Sequence, residues 1–213
     1  GHGAVTSALG WGLAALTVVV FVASIRSRLS ELREIIWESL PVLTAAVVLS
    51  TLAGVAVQKQ LAVFAALPAL LVMEPAFVSS AGALGGILSS RTSTNLHLGV
   101  VEPRINPGPV VRQDALLVFA LGFPVFLFNA LGAAGAAAVL GQDGPGLVWM
   151  VLLSLIGGAV TVAFVTALAY YSTMAAWRFD VDPDTYGIPV VTATVDFVGV
   201  VILIVTMFAL GIA

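Results

Sequence analysis

The sequence predicts an all-α integral membrane protein with six transmembrane helices. Three observations predict it. Of the 213 residues, 60% are hydrophobic and only 9% are charged, against about 25% charged in a water-soluble domain. So few charges cannot build a water-facing surface. The mean hydropathy is +1.12. Finally, successive segments each hold the roughly 20 apolar residues that a helix needs to cross a bilayer core about 30 Å thick. The net charge of −3 leaves no basic footprint for nucleic acid. The absence of cysteine excludes disulfides, thiolate metal sites and cysteine nucleophiles.

The chain opens on Gly-His-Gly without a methionine, and these residues are set aside. The first apolar segment is 4–25. It lacks a positive n-region and its arginines follow it, so it reads as an extra N-terminal helix and not as a signal peptide. The second is about 41–57, with Pro41 suited to a first turn. The third, 61–90, is too long: a straight helix of that length spans about 45 Å. It also holds Pro68, Pro75, Gly82, Gly85 and Gly86, so it is expected to be kinked or broken and to project past the membrane. The fourth runs from about 115 to 140, with Asp114 placed to cap it. The fifth is about 146–177, preceded by Pro145. The sixth is about 188–212. The longest polar stretch is the loop 94–114, which contains Pro103, Pro107 and Pro109.

Arginine placement sets the orientation. Arg26, Arg28 and Arg33 follow the first helix, Arg91, Arg104 and Arg112 follow the third, and Arg178 follows the fifth. Alternate connections share a side, so these arginines are expected in the cytoplasm and both termini outside. The plasma membrane is the expected location.

Two acidic residues lie well inside apolar segments, Glu74 and Asp196. A charge at mid-bilayer costs about 2.5–3.5 kcal/mol on insertion scales, so an intramembrane carboxylate is a functional-site candidate by default. Asp196 lies about 12 Å in from one end of its helix and Glu74 about 20 Å in from the opposite end. In a core of about 30 Å these are similar heights, so the two can face one water-filled path. Thr192 and Gly199 share the Asp196 face by the i−4 and i+3 rule. Thr192 offers oxygen, Gly199 leaves room, and Pro189 leaves a carbonyl in the preceding turn without its usual donor. One carboxylate, a carbonyl and retained waters suit Mg²⁺, which dehydrates reluctantly. The alternative is a protonated Asp196 bonded between helices.

On the third helix, Ser79 and Gly82 accompany Glu74 as candidate lining residues, and Glu74, Val78, Ala81, Gly82, Gly85 and Ser89 fall roughly on one face. Small residues there equally permit simple close packing. The stretch from Ser89 to Asn95 reads as a polar inner end, either an ion exit or a solvated terminus. Asn129, mid-way along the fourth helix, is a candidate for an interhelical hydrogen bond or a lining position. Tyr170 and Tyr171 read as an interfacial belt, Asp180, Asp182 and Asp184 as a solvated capping turn, and His97 as a loop histidine with no special part. No H-E-x-x-H or G-x-S-x-G motif is present. Neither acid sits in the Gly-Asp or Tyr-Asp context of an intramembrane aspartyl protease. An enzyme is therefore not expected.

With these residues in place, the chain from Trp37 onward resembles the membrane domain of the MgtE magnesium transporters and the related animal magnesium solute carriers. The last helix carries the resemblance most specifically: Asp182-Pro183, then Pro189, Thr192, Asp196 and Gly199. A second element is Pro68, then Gly82, then Leu88-Ser-Ser-Arg91-Thr-Ser-Thr94. The resemblance implies divalent cation transport, with Mg²⁺ the usual cargo, by a five-helix core (37–213) that pairs as a homodimer around a path at the two-fold interface. It implies that Asp196 binds the dehydrating ion, helped by a backbone carbonyl one turn earlier, near Thr192. Two departures stand out. Ala83 follows Gly82 where the family has Asn, and Glu74 is placed to replace part of that contribution. No counterpart of the family's cytoplasmic N-domain and CBS pair occurs in these residues, so its Mg²⁺-sensing gate is not carried over, and a separate regulatory partner is one expectation. The rival readings are a Na⁺- or H⁺-coupled exchanger and a non-conducting partner subunit.

Overall fold

A computed structural model describes residues 2–26 and 30–212, with side chains from 10 onward except those of 30–35 and Glu38. Arg28 and the side chain of Arg33 lie outside that description. The described residues form seven helices and no strand: α1 (His2–Ile25), α2 (Ser30–Lys59), α3 (Leu61–Ala66), α4 (Pro68–His97), α5 (Pro109–Leu140), α6 (Leu147–Arg178) and α7 (Pro183–Ala209). Five stretches are long and apolar enough to cross a membrane: Ser39–Lys59 and the whole of α4, α5, α6 and α7; Gly10–Ile25 is a shorter apolar helix. The all-helical membrane fold expected from composition is therefore present.

The chain divides into two compact units, residues 1–41 and 42–213. The first holds α1 and the opening turns of α2. Pro41 is interior to α2, not in its first turn. The Ser-Glu-Leu-Arg-Glu run from Ser30 is helix-forming, so the helix starts well before the apolar segment does.

In the second unit, α4 and α6 form the inner pair. Each packs on the other and on both α5 and α7, whereas α5 and α7 do not meet. Burial follows: 44% of the apolar window is buried in α4 and in α6, but 22% in α5. Glycine makes the inner packing possible. Phe77 and Phe126 form a tilted pair with centroids 4.9 Å apart. A Cβ on Gly157 would lie 3.4 Å from the Phe77 ring, and one on Gly158 would overlap the Phe126 ring. Gly85 is wedged so that a Cβ would fall 2.5 Å from Val191 Cγ1 and overlap Val165 as well.

The long third segment is broken, as its prolines predict, and the break is at Leu67. A residue before proline is steered out of the α region, and Leu67 has φ −130° and ψ 70°. Pro68 then begins α4, and the Ala69 amide donates to the Asp143 carbonyl (3.2 Å), which ties the break to the α5–α6 turn. At that turn Gly141 adopts φ 63°, and the Gln142 amide returns to the Ala137 carbonyl at 2.9 Å, a glycine-ended helix stop. Pro145 could suit the first turn of the fifth segment by its fixed φ, but α6 starts at Leu147 with Gly146 as its cap, so Pro145 precedes the helix. Asp182 caps α7, accepting from the Asp184 amide (3.1 Å) and the Thr185 hydroxyl (2.8 Å), which gives the acidic turn its capping role.

Asp114 does not cap α5. Gly108 does, and α5 starts at Pro109, so Asp114 lies inside the helix. It is buried and accepts from Arg91 Nε (2.9 Å) and Nη2 (2.5 Å) and from Asn95 Nδ2 (3.4 Å). The polar end of α4 is likewise more than a solvated terminus. Ser89, Thr92 and Ser93 are buried, and Ser89 shares a 2.9 Å hydrogen bond with Thr173. Gly187 is pressed against that pair, since a Cβ there would meet Ser89 Oγ at 2.6 Å. His97 ends α4 and stands edge-on to Trp177, centroids 5.0 Å apart. Arg91, Arg104, Arg112 and Arg178 all belong to this end of the unit, where α4 and α6 finish and α5 and α7 begin.

Candidate functional site

A cavity of about 610 Å³ opens between α2, α4 and α7 in the second unit. From α4 it takes Glu74, Val78, Ser79 and Gly82. From α7 it takes Thr192 and Asp196, and from α2 it takes Ser50, Ala53 and Gly54. The two intramembrane carboxylates therefore share one space, as their estimated depths suggest. Their spacing follows from helix geometry. Glu74, Val78 and Gly82 repeat every four residues on α4, and Thr192 and Asp196 do so on α7, so each helix turns one face to the cavity.

Asp196 is half-buried and accepts a 2.8 Å hydrogen bond from Ser50 Oγ at its Oδ2. The Thr192 hydroxyl donates back to the carbonyls of Ile188 (3.0 Å) and Pro189 (3.2 Å), so its lone pairs stay available to the cavity. Gly82 faces Thr192, the nearest side-chain atom lying 3.7 Å from where a Cβ would stand. The polar groups are all oxygen: two carboxylates and the hydroxyls of Ser50, Ser79 and Thr192. Hard cations take such ligands. Among the described residues no three His, Cys, Asp or Glu gather closely enough to cage a metal. A divalent ion here would keep part of its water shell.

Two candidate residues lie elsewhere. Gly199 is buried against Val78 and Thr161, not in the cavity lining. Asn129 joins α5 to α4: its Nδ2 donates to Ser80 Oγ (3.0 Å) and to the Ala76 carbonyl (3.3 Å). Sequence reasoning missed Ser50. A serine in an apolar helix carries little insertion penalty, and nothing local to α2 marks it as a neighbour of a carboxylate 146 positions away.

An acidic, oxygen-lined cavity set among membrane-crossing helices defines a class: integral membrane proteins that offer a polar environment to a cation inside the bilayer. The family model of the MgtE divalent cation transporters matches residues 74–206. That is more than half of the chain, and the chain belongs to this family of divalent cation transporters. The match starts at Glu74 and so covers less than the resemblance read from Trp37 onward. No curated protein matches the chain.

Proposed function

We propose that this chain carries Mg²⁺ across the plasma membrane as a homodimer, with Asp196 the principal ion ligand. Glu74 is the second acidic lining residue, and the Thr192 carbonyl and hydroxyl assist. The observation that carries the reading is the single cavity holding both intramembrane carboxylates and only oxygen-bearing polar groups. The ligand set supports this cargo. Two carboxylates with hydroxyls and retained water fit an ion that is bound by few protein oxygens and dehydrates reluctantly. Exposure supports the homodimer. Ser50, Gly54, Ser79 and Ala83 line the cavity yet are exposed, so a single chain leaves it open, and a second copy related by a two-fold axis would close it. The arginine-rich end faces the cytoplasm and both termini face outside.

The test is Mg²⁺ uptake into liposomes containing the purified chain. Asp196→Asn keeps size and hydrogen bonding but removes the charge, and uptake is expected to fall by at least about tenfold, the loss of one charge-assisted contact. Uptake at the wild-type rate would sink the mechanism. One observation favours a second reading, the H⁺-coupled exchanger: Glu74 stands in the same cavity as Asp196 and can alternate between proton and salt forms. Uptake that follows an imposed pH gradient in wild type, and loses that dependence in Glu74→Gln, selects the exchanger.

A further inference from the structure

A second cavity of about 610 Å³ lies at the arginine-rich end and shares no residue with the acidic one. We propose that it is a binding site for an anionic phospholipid, whose phosphate meets Arg178, with Arg104 beside it, and whose acyl chains lie along Tyr171, Met174 and Ala175.

Three observations carry the proposal. The first is charge. Arg104 is ion-paired with Glu102, whereas Arg178 has no acidic partner among the described residues. The cavity therefore presents an uncompensated cation beside an apolar wall of Tyr171, Met174, Trp177 and Phe179. An amphiphile with a negative head and apolar tails matches that pairing, and a free polar anion matches only half of it. The second is depth. The 32 residues of α6 span about 48 Å, well beyond a hydrocarbon core of about 30 Å. The last turns, with Tyr171, Trp177 and Arg178, lie at headgroup level, where Trp and Tyr concentrate. Basic pockets at this level between helices suit anionic headgroups. The third is rigidity. Tyr170 is buried and its hydroxyl donates to the Arg104 carbonyl at 2.7 Å, which fixes the loop wall to α6. His97 braces Trp177 edge-on. The cavity is thus held open by contacts that do not involve Arg178.

The experiment is native mass spectrometry of the purified chain in a nonionic detergent, titrated with phosphatidylglycerol or with phosphatidylcholine of the same acyl chains. Wild type is expected to prefer phosphatidylglycerol by roughly tenfold, in keeping with one or two arginine contacts near the surface. Arg178→Gln is expected to remove the preference and Arg178→Lys to keep part of it. Ala175→Trp places a large ring in the cavity from an exposed position and is expected to lower phosphatidylglycerol binding with both arginines intact. That variant decides the matter if Arg178→Gln does not fold. Equal binding of the two lipids by wild type overturns the proposal, as does phosphatidylglycerol binding unchanged in the folded variants. Displacement of the lipid by millimolar inorganic phosphate also overturns it, because the site would then be one for a free anion.

Discussion

Asp196 sits in the acidic cavity, and its hydrogen-bond donor comes from another helix. A carboxylate at membrane depth costs about 2.5–3.5 kcal/mol, and a hydrogen bond to a charged group returns about 1.5–3 kcal/mol. Ser50, at 2.8 Å from Oδ2, therefore offsets much of the penalty and fixes the direction in which the carboxylate points. Partners that orient an ion ligand typically change affinity 10–100-fold when removed. Ser50→Ala is accordingly expected to raise the Mg²⁺ concentration for half-maximal uptake by about tenfold with little change in maximal rate. Ser50→Thr is expected to stay near wild type. A concentration series of liposome uptake measures both, and an unchanged midpoint in Ser50→Ala would remove Ser50 from the site. Asp196 and Glu74 were legible in the sequence because an acid in an apolar run is costly enough to need a reason. Thr192 and Gly82 followed from periodicity. Gly199 did not follow, because the i+3 position is rotated far enough around α7 to meet Val78 and Thr161. Ser50 was illegible because its significance lies wholly in a long-range contact.

At the scale of helices, proline and glycine decide where the chain breaks and how closely it packs. The break at Leu67 was readable from Pro68 and from the excess length of the segment. The starts of α2 and α5 were not: both helices extend past their apolar stretches into polar residues, where hydropathy gives no signal. That extension puts Asp114 inside α5 and in reach of Arg91. The glycines on the inner pair are tested by contrast. A Cβ on Gly158 would overlap the Phe126 ring, whereas one on Gly132 meets nothing within 4 Å. Overpacking of this kind costs about 1–3 kcal/mol. Gly158→Ala is expected to lower the thermal unfolding midpoint of the detergent-solubilised protein, and Gly132→Ala to leave it unchanged or raise it slightly. Equal midpoints for the two variants would show that the Phe77–Phe126 contact is not held by glycine.

At the scale of the whole molecule, the fold class was legible from composition alone, because 9% charge cannot solvate a globular surface. The assembly was not, since nothing in one chain's hydropathy separates a face turned to lipid from a face turned to a second copy. The absence of cysteine from these 213 residues makes the homodimer testable. A single Ala83→Cys, at the exposed mouth of the acidic cavity, is expected to form a disulfide-linked dimer in the membrane on mild oxidation. Leu140→Cys, at the end of α5 away from that cavity, is expected to remain monomeric on a denaturing gel. Equal cross-linking at the two positions would contradict a two-fold axis at the cavity. The proposed ion site lies between Asp196 and Glu74. Anomalous diffraction from crystals soaked in Mn²⁺ tests it most directly. A peak is expected in the acidic cavity beside the Asp196 carboxylate, and it is expected to disappear in Asp196→Asn. A cavity without Mn²⁺, or a peak that survives the substitution unchanged, would contradict it.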